Sequence, residues 1–273
     1  MTLNCNGKIL DLHKKKIMGI INISEDSFYD GGRYNTIDKV NSQVHKLISN
    51  GAEIIDLGAA SSKPGNKLIE SKIELEIISD YILELSNNFK NIYLSIDTYN
   101  SSVAEFALSN GFSIINDISA GKYDPNIFNV VKNYDAGYIL MHMLGDPYNM
   151  QKNPKYNDVV ESIILFLKKK IQKLEVLGLD NIIIDPGFGF GKSIDDNFKI
   201  LNKLDSFKSL NKPIMVGLSR KSMIYKTLKI TPEESLNGTT VLHMRALEKG
   251  ANILRVHDAK EAFECISLFE NLN

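Results

Sequence analysis

Acidic and amide side chains stand directly after three short apolar runs, where they could bind the edge of a flat, nitrogen-rich ring. They are Asp97, Asn116 and Asp185. A carboxylate can accept two parallel N–H bonds from an amidine-like edge, and an amide both donates and accepts hydrogen bonds. The three residues therefore indicate a heterocycle site, if the fold brings them together. The alternative is that buried polar groups merely satisfy one another.

Basic residues nearer the end of the chain are of the types that bind phosphate groups. They lie in Gly217-Leu-Ser-Arg-Lys-Ser222 and in Arg255-Val-His257. Arginine forms bidentate hydrogen bonds to phosphate oxygens, so these two segments predict a cradle for a diphosphate. A solvated basic rim is the alternative reading of the same residues.

The segment Asp185-Pro-Gly-Phe-Gly-Phe-Gly-Lys192 is the sharpest local motif. Its glycine spacing fits neither a dinucleotide-binding fingerprint nor a P-loop. We predict that Phe188 and Phe190 are exposed walls for a flat ligand, although a plain turn could use the same glycines. His142 also follows an apolar run, and its sequence position suits a ligand-binding residue and a packing residue equally well.

The elements that must position these residues are eight short apolar runs rich in Ile and Val, which indicate strands buried on both faces. The runs are residues 17–21, 52–55, 92–96, 112–115, 138–141, 182–184, 213–216 and 251–254. Helix-like segments separate them. Eight such units predict an α/β fold, a single (β/α)8 TIM barrel whose site lies at the C-terminal strand ends. We assign one domain to residues 1–273.

Helical periodicity and glycine stops predict the helices between these runs. They cover residues 36–50, 69–88, 101–110, 126–134, 158–177, 194–206, 232–249 and 259–272. The turn signal Asn6-Gly7 predicts a short N-terminal hairpin that closes the barrel bottom. Long segments at 24–35 and 59–68 follow the first two runs, and we expect them to lie over the site.

Composition excludes several broad classes of protein. The chain has 32 basic and 33 acidic residues and a net charge of -1, so no overall field favours nucleic acid or a membrane surface. No apolar stretch approaches the roughly 20 residues of a membrane span. Its two cysteines, Cys5 and Cys265, cannot form a disulfide framework. A reducing cytoplasm is the expected setting.

Together these segments resemble the dihydropteroate synthase family, enzymes of the folate pathway that sulfonamides inhibit. Matching motifs occur in order along residues 15 to 265, and they include Asp26-Ser-Phe28, Glu53-Ile-Ile-Asp-Leu-Gly58, Ser95-Ile-Asp-Thr98, Ile115-Asn-Asp-Ile118 and Leu140-Met-His-Met143. The resemblance implies a transferase that joins p-aminobenzoate to the methylene group of a dihydropterin diphosphate and releases pyrophosphate.

The resemblance also implies a role for each matching residue. The implied pterin site is Asp97, Asn116, Met143, Asp185, Gly217, Lys221 and Arg255. The implied diphosphate site is Asn22, Arg255 and His257, with Asn22 also the ligand of the cofactor Mg2+. The implied p-aminobenzoate pocket is Phe28, Ser62, Lys63, Pro64, Phe190 and Ser222. The implied catalytic residues are Asp97, Lys221, Arg255 and His257. A homodimer that meets through the final helices is implied by analogy alone.

One segment departs from the family pattern. Where the family usually reads Gly-Gly-Glu-Ser-Thr-Arg-Pro-Gly, this chain reads Gly58-Ala-Ala-Ser-Ser-Lys-Pro-Gly65. Lys63 keeps the charge of an arginine but loses its bidentate fork, and Ala60 keeps neither charge nor acceptor. Two alternatives stay open: a catalytically weakened pterin-binding paralogue, and a methyltransferase that uses methyltetrahydrofolate. Neither explains the intact diphosphate cradle.

Overall fold

The computed structural model describes residues 1–23, 37–59 and 68–272. Each predicted apolar run contributes a parallel strand to one sheet. The strands are β3 (Lys16–Asn22), β4 (Ile54–Gly58), β5 (Tyr93–Asp97), β6 (Ile114–Asp117), β7 (Gly137–Met141), β8 (Ile182–Asp185), β9 (Met215–Val216) and β10 (Ile253–Val256). They lie in the order β8-β7-β6-β5-β4-β3-β10-β9. A bridge between Ile184 and Ile214 joins the two edge strands, which confirms the predicted barrel.

Several strands begin two residues later than the apolar runs, because the first residues of those runs belong to helix ends. Gly51, Gly111 and Gly250 have positive φ, and the amide of the residue after each bonds back to the preceding helix, as Ala52 does to the Leu47 carbonyl at 3.0 Å. This geometry caps a helix C-terminus, and glycine adopts it without steric cost. The shift places the strand ends, and the polar residues on them, at the upper rim of the barrel.

Helices separate the strands, largely as predicted. They are α1 (Ile37–Ser49), α2 (Ser71–Asn88), α3 (Ser101–Ser109), α4 (Ile127–Asn133), α5 (Val159–Val176), α6 (Ile194–Asn202), α7 (Ser222–Leu228), α8 (Leu236–Glu248) and α9 (Ala259–Leu272). Among the described helices, α7 was not predicted. The predicted helix at 194–206 is too long, because a 3-10 helix at Leu204–Leu210 follows α6. The segment at 232–249 begins with a 3-10 turn, Glu233–Ser235.

The N-terminal hairpin closes the barrel bottom, as predicted. Strands β1 (Thr2–Cys5) and β2 (Lys8–Asp11) pair around Asn6 and Gly7, both of which have positive φ. Apolar side chains of the hairpin region pack against the barrel interior. These are Leu3, Cys5, Leu10 and Leu12, against Met18, Ile54, Ile114, Ile139, Ile183, Met215 and Ile253. The lower interior is therefore apolar and filled, which leaves the C-terminal strand ends for polar chemistry. No described helix is long and apolar enough to cross a membrane.

Candidate active site

The predicted polar residues of the central strands meet at the barrel rim. Asp97 ends β5, Asp185 ends β8, and Asn116 lies one residue before the end of β6. Asp97 and Asn116 are direct neighbours in the register of β5 and β6. All three are buried. The strand that carries Asn116 turns the next side chain away, and Asp117 instead accepts bonds from backbone amides and from the Tyr138 hydroxyl.

Arg255 is the centre of a charged network with two carboxylates. Its Nε donates to Asp56 Oδ2 and its Nη2 donates to Asp97 Oδ2, each at 2.7 Å. Asp56 also accepts from Asn116 Nδ2 at 2.9 Å and from Ser95 Oγ at 2.6 Å. One cation therefore serves two buried carboxylates, and the predicted pterin residues Asp97, Asn116 and Arg255 are joined through Asp56.

Asp56 is the residue that the sequence reasoning missed. It follows the second apolar run directly, but it was not among the predicted site residues. The structure puts it in the middle of β4, level with Ser95 of β5. A signal was present, since Ile54-Ile-Asp56 has the same form as Ile183-Ile-Asp185 at the end of another strand.

The charged network alters the acidity of its members. Burial raises the pKa of Asp97 to about 7; Arg255 opposes the shift, while Asp56 adds to it. A proton binds Asp97 more readily because the buried carboxylate is desolvated, and the arginine that it shares with Asp56 offsets this only in part. Burial alone would lower the pKa of Arg255, but Asp56 and Asp97 together hold it above its ordinary value. Arg255 therefore stays cationic, and Asp97 can change charge near neutral pH.

Lys221 and Asp185 form a second polar group on the opposite part of the rim. Lys221 Nζ donates to the Phe188 carbonyl at 2.6 Å and lies 4.4 Å from the centre of the Phe190 ring. Asp185 Oδ1 accepts from the Gly187 amide at 2.7 Å. Burial lowers the pKa of Lys221 to about 8, against the effect of Asp185, and burial raises the pKa of Asp185. These groups can meet a ligand that carries both N–H donors and acceptors.

An apolar cluster lies beside these polar groups and could hold a flat ring. Its buried members are Tyr99, Ile118, Met141, Met150 and Phe190, with Met143 packed against them. The prediction that both phenylalanines of the glycine-rich segment are exposed walls is wrong. Phe188 is buried in the main core, and only Phe190 belongs to the rim cluster.

The predicted diphosphate cradle is only partly available. Arg220 forms a bidentate pair with Asp258, with distances of 2.9 Å and 2.7 Å, so its guanidinium braces the loops after β9 and β10. His257 Nδ1 lies 3.0 Å from Ser219 Oγ. The His257 ring keeps contact with solvent, yet desolvation and then Arg255 lower its pKa to about 4. His257 is therefore neutral at pH 7, and it offers hydrogen bonds in place of charge.

The remaining predicted residues take different positions. Asn22 is exposed at the end of β3, and Ser222 is half-buried as the first residue of α7. A Cβ atom at Gly217 would meet nothing within 4 Å, so this glycine borders open space. Four residues predicted for the p-aminobenzoate pocket lie outside the described residues: Phe28, Ser62, Lys63 and Pro64. So do nearly all residues of the two long segments predicted to cover the site.

His142 is a packing residue in this structure. It is buried, and its ring packs edge-on against Phe166 at 5.0 Å. Its Nδ1 lies 3.0 Å from Lys192 Nζ. Burial, and then Lys192, lower the pKa of His142 to about 3, so the ring is neutral.

Comparison with known proteins identifies the family of this chain. The chain matches the family described as pterin binding enzyme over residues 18–257. Fold and rim together thus define a pterin-binding enzyme on a barrel. The chain is 36% identical to the dihydropteroate synthase of Haemophilus influenzae, over 99% of this chain and 98% of that protein. It belongs to the dihydropteroate synthase family and is a transferase of folate biosynthesis.

Solved structures agree with this assignment. A Yersinia pestis dihydropteroate synthase with a sulfonamide drug complex superposes with a TM-score of 0.93 at 34% identity, covering 100% of this chain and 99% of that one. A Xanthomonas albilineans dihydropteroate synthase in complex with 7,8-dihydropteroate gives 0.88 at 32% identity, covering 100% and 98%. The fold and the family predicted from sequence are confirmed, and the methyltransferase alternative is not supported.

Proposed function

We propose that this chain condenses p-aminobenzoate with (7,8-dihydropterin-6-yl)methyl diphosphate, giving 7,8-dihydropteroate and pyrophosphate. The observation that carries the proposal is the Arg255 network, in which one cation at the rim touches both Asp56 and Asp97. Such an arrangement offers acceptors to a heterocycle and positive charge to its diphosphate. The product complex of the Xanthomonas albilineans relative supports the same substrates here.

The pterin would lie between the two polar groups of the rim. Asp185 and Asn116 face the space with groups that can meet an N–H and carbonyl edge, and Lys221 can donate to a ring acceptor. Met143 and the cluster around Met141 pack near the rim and can cover a flat face. Asp97 can accept from the ring on the side nearest Arg255, since its other oxygen bonds no described side chain.

The reaction breaks the bond between the methylene carbon and a diphosphate oxygen, whose electron pair leaves with pyrophosphate. Arg255 neutralises the developing charge, and neutral His257 donates a hydrogen bond. The electron-rich dihydropterin stabilises the cationic methylene, with Asp97 as a nearby carboxylate. The arylamine nitrogen then forms the new C–N bond and releases one proton to solvent. An arylamine is uncharged at pH 7, so no strong general base is required.

The arylamine would enter beside Phe190 and Ser222. The Phe190 ring supplies an apolar face, and Lys221 above it supplies a positive charge that suits a carboxylate substrate. Phe28, Ser62, Lys63 and Pro64 would complete this pocket, as the family resemblance implies.

Magnesium fits the residues present. Asn22 presents an exposed amide oxygen at the rim, and Mg2+ usually keeps several waters and needs few protein ligands. Within the described ranges, no group of three or more His, Cys, Asp or Glu side chains could hold a metal ion. Asn22 would therefore share Mg2+ with diphosphate oxygens and water. When bound, the ion supplies further charge neutralisation to the leaving group.

The chain is further proposed to form a homodimer in the cytoplasm. Exposed apolar side chains on the last two helices, among them Val241, Leu268 and Leu272, support a homodimer through this face. Sedimentation equilibrium should then give about twice the 30.6 kDa chain mass. Both cysteines are free and buried, which suits the cytoplasm.

Product identification tests this function. The purified chain with Mg2+ and both substrates should yield 7,8-dihydropteroate, identified by mass. Asp185→Asn should abolish it, because an amide keeps the Gly187 bond but cannot accept two N–H bonds from the pterin edge. Asp195→Asn, an exposed acid on α6, is the matched control and should leave the yield unchanged. Absence of product with the unmodified chain would contradict the proposal.

A further inference from the structure

Two rim segments, one after β7 and one after β8, are in unusually close backbone contact. A Cβ atom at Gly187 would lie 2.0 Å from the His142 carbonyl oxygen, and one at Gly191 would lie 2.3 Å from the Leu144 oxygen. Both glycines have positive φ. Only glycine permits this approach, so the sequence holds the two segments together without intervening side chains.

Lys192 lies in the middle of this contact. Its side chain is buried, with 2% of the residue exposed. Nζ lies 3.0 Å from His142 Nδ1, and it donates to the His142 carbonyl at 3.1 Å and the Phe190 carbonyl at 2.9 Å. An ammonium group has three N–H donors, and each has a partner here. None of these partners is charged, and burial lowers the pKa of Lys192 to about 7, against the effect of Asp185.

The bonds of Lys192 act on the backbone of Phe190 and not on its ring. The Phe190 carbonyl accepts from Lys192, and the Phe190 amide donates to the Gly187 carbonyl at 3.1 Å. Both peptide groups beside Phe190 are thus fixed. The ring is thereby held 4.4 Å from Lys221 Nζ, whose own bond goes to the Phe188 carbonyl.

We propose that Lys192 is a positioning residue for the arylamine subsite, because it fixes the Phe190 backbone and so sets the gap between the Phe190 ring and Lys221. This inference rests on the proposed function, in which Phe190 is a wall for p-aminobenzoate. Lys192 itself lies beneath the rim and touches no substrate. It was not among the predicted site residues.

Steady-state kinetics of Lys192→Met measure this role. The KM for p-aminobenzoate should rise about tenfold, because of the three hydrogen bonds that are lost the one to the Phe190 carbonyl bears on the ring. The KM for the dihydropterin diphosphate should stay within about twofold, because the Arg255 network is untouched. Lys199→Met, the same change at an exposed position on α6, should alter neither constant. Lys192→Gln keeps two N–H donors on a shorter side chain and should give a smaller rise.

A double-mutant cycle separates positioning from a general structural role. If Lys192 acts through Phe190, then Lys192→Met should change the KM for p-aminobenzoate by less than about twofold in a Phe190→Leu background. If Lys192→Met raises the KM for p-aminobenzoate by the same factor with Phe190 and with Leu at that position, the inference is overturned. An unchanged KM in both Lys192→Met and Lys192→Gln would also overturn it.

Hydrogen exchange gives a readout that needs no turnover. The Phe190 amide should exchange about tenfold faster in Lys192→Met, or in Lys192→Gln should the first variant not fold, and not in Lys199→Met. Unchanged exchange at Phe190 would overturn the inference even in a chain that makes product. Faster exchange in a chain that makes no product would support it and place the failure in the proposed function.

Discussion

The two halves of the rim are built from opposite charges and held by different kinds of bond. The acid half comprises Asp56, Asp97, Asn116 and Arg255, and side chains bond directly to side chains across four strands. The lysine half comprises Asp185, Phe190, Lys192 and Lys221, and its two lysines bond mainly to backbone carbonyls. The geometry of the acid half depends on which side chains the strands carry. The geometry of the lysine half depends on the backbone conformation of a loop.

This difference explains how one barrel can bind two unlike substrates. Strands hold charged groups in place without a ligand, which suits a pterin with a fixed hydrogen-bonding edge. A glycine-rich loop braced by a buried lysine can present an aromatic face and a cation, which suits a small arylamine acid. Because Asp185 and Lys221 also face the pterin, different kinetic constants should be affected only by variants of the acid half and by variants of the Phe190–Lys192 loop.

Removal of Arg255 should have the largest effect. Arg255→Met leaves two buried carboxylates without their cation and removes the positive charge from the diphosphate site, so kcat/KM should fall about 1000-fold. The free energy of unfolding should also fall, by about 3 kcal/mol. Steady-state kinetics and urea denaturation measure these changes. Arg245→Met, which removes a surface arginine paired with Glu248, is the control. A loss of less than about tenfold would show that Arg255 is not central.

A smaller effect is expected at Asp56, which bonds to Arg255 and Asn116 of the acid half. Asp56→Asn keeps the shape but places an amide N–H₂ against donors from Arg255, Asn116 or Ser95, so kcat/KM should fall about 30-fold. The KM for p-aminobenzoate should not change. Asp80→Asn, an exposed acid on α2, serves as control. If Asp56→Asn raised only the KM for p-aminobenzoate, the proposal that the acid half serves the pterin would be contradicted.

The pH dependence of kcat/KM should reflect the titration of one group from each half of the rim. Loss of the Asp97 carboxylate below its pKa of about 7 should lower kcat/KM on the acid side. Loss of the Lys221 ammonium above its pKa of about 8 should lower it on the alkaline side. The expected profile is a narrow bell with its maximum between these values. Asp97→Asn should remove the acid limb, and Lys221→Arg the alkaline one. A flat profile across this range is the contrary result.

The smallest expected effect concerns residues outside the described part of the chain. Ala60→Glu combined with Lys63→Arg restores the usual family residues, and an arginine fork holds a carboxylate better than an ammonium. The KM for p-aminobenzoate should fall about threefold. Lys67→Arg makes the same exchange nearby and should change nothing. Unaltered KM and kcat in the double variant would show that these departures have no functional consequence.

Much of the barrel could be predicted from sequence, because local pattern carries it. Short runs of Ile and Val gave all eight strands, and glycines marked helix ends such as Gly51 and Gly250. Helix α7 was not predicted because the segment between β9 and β10 holds two helices, whereas the barrel pattern predicts a single helix there. The strand starts were displaced because apolar residues of helix caps look like strand residues.

Within the site, only the residues at or near strand ends could be predicted from the sequence. Asp97, Asn116, Asp185 and Arg255 could be placed on one rim from their positions alone. The bond between Asp56 and Arg255 joins residues 199 apart in sequence, and no local pattern indicates it. The pairing of Arg220 with Asp258 likewise depends on how two loops pack, and no local pattern indicates it. Because Arg220 is engaged in this pair, it is not available to the predicted diphosphate cradle.

The most direct test of the account is the initial rate of pyrophosphate release as a function of p-aminobenzoate concentration, with Mg2+ and saturating dihydropterin diphosphate. The account predicts release that rises and saturates with p-aminobenzoate and is near zero without it. Release that is independent of p-aminobenzoate would indicate a diphosphate hydrolase. No release, despite tight binding of the dihydropterin diphosphate by calorimetry, would contradict the synthase and identify a pterin-binding protein that has lost turnover.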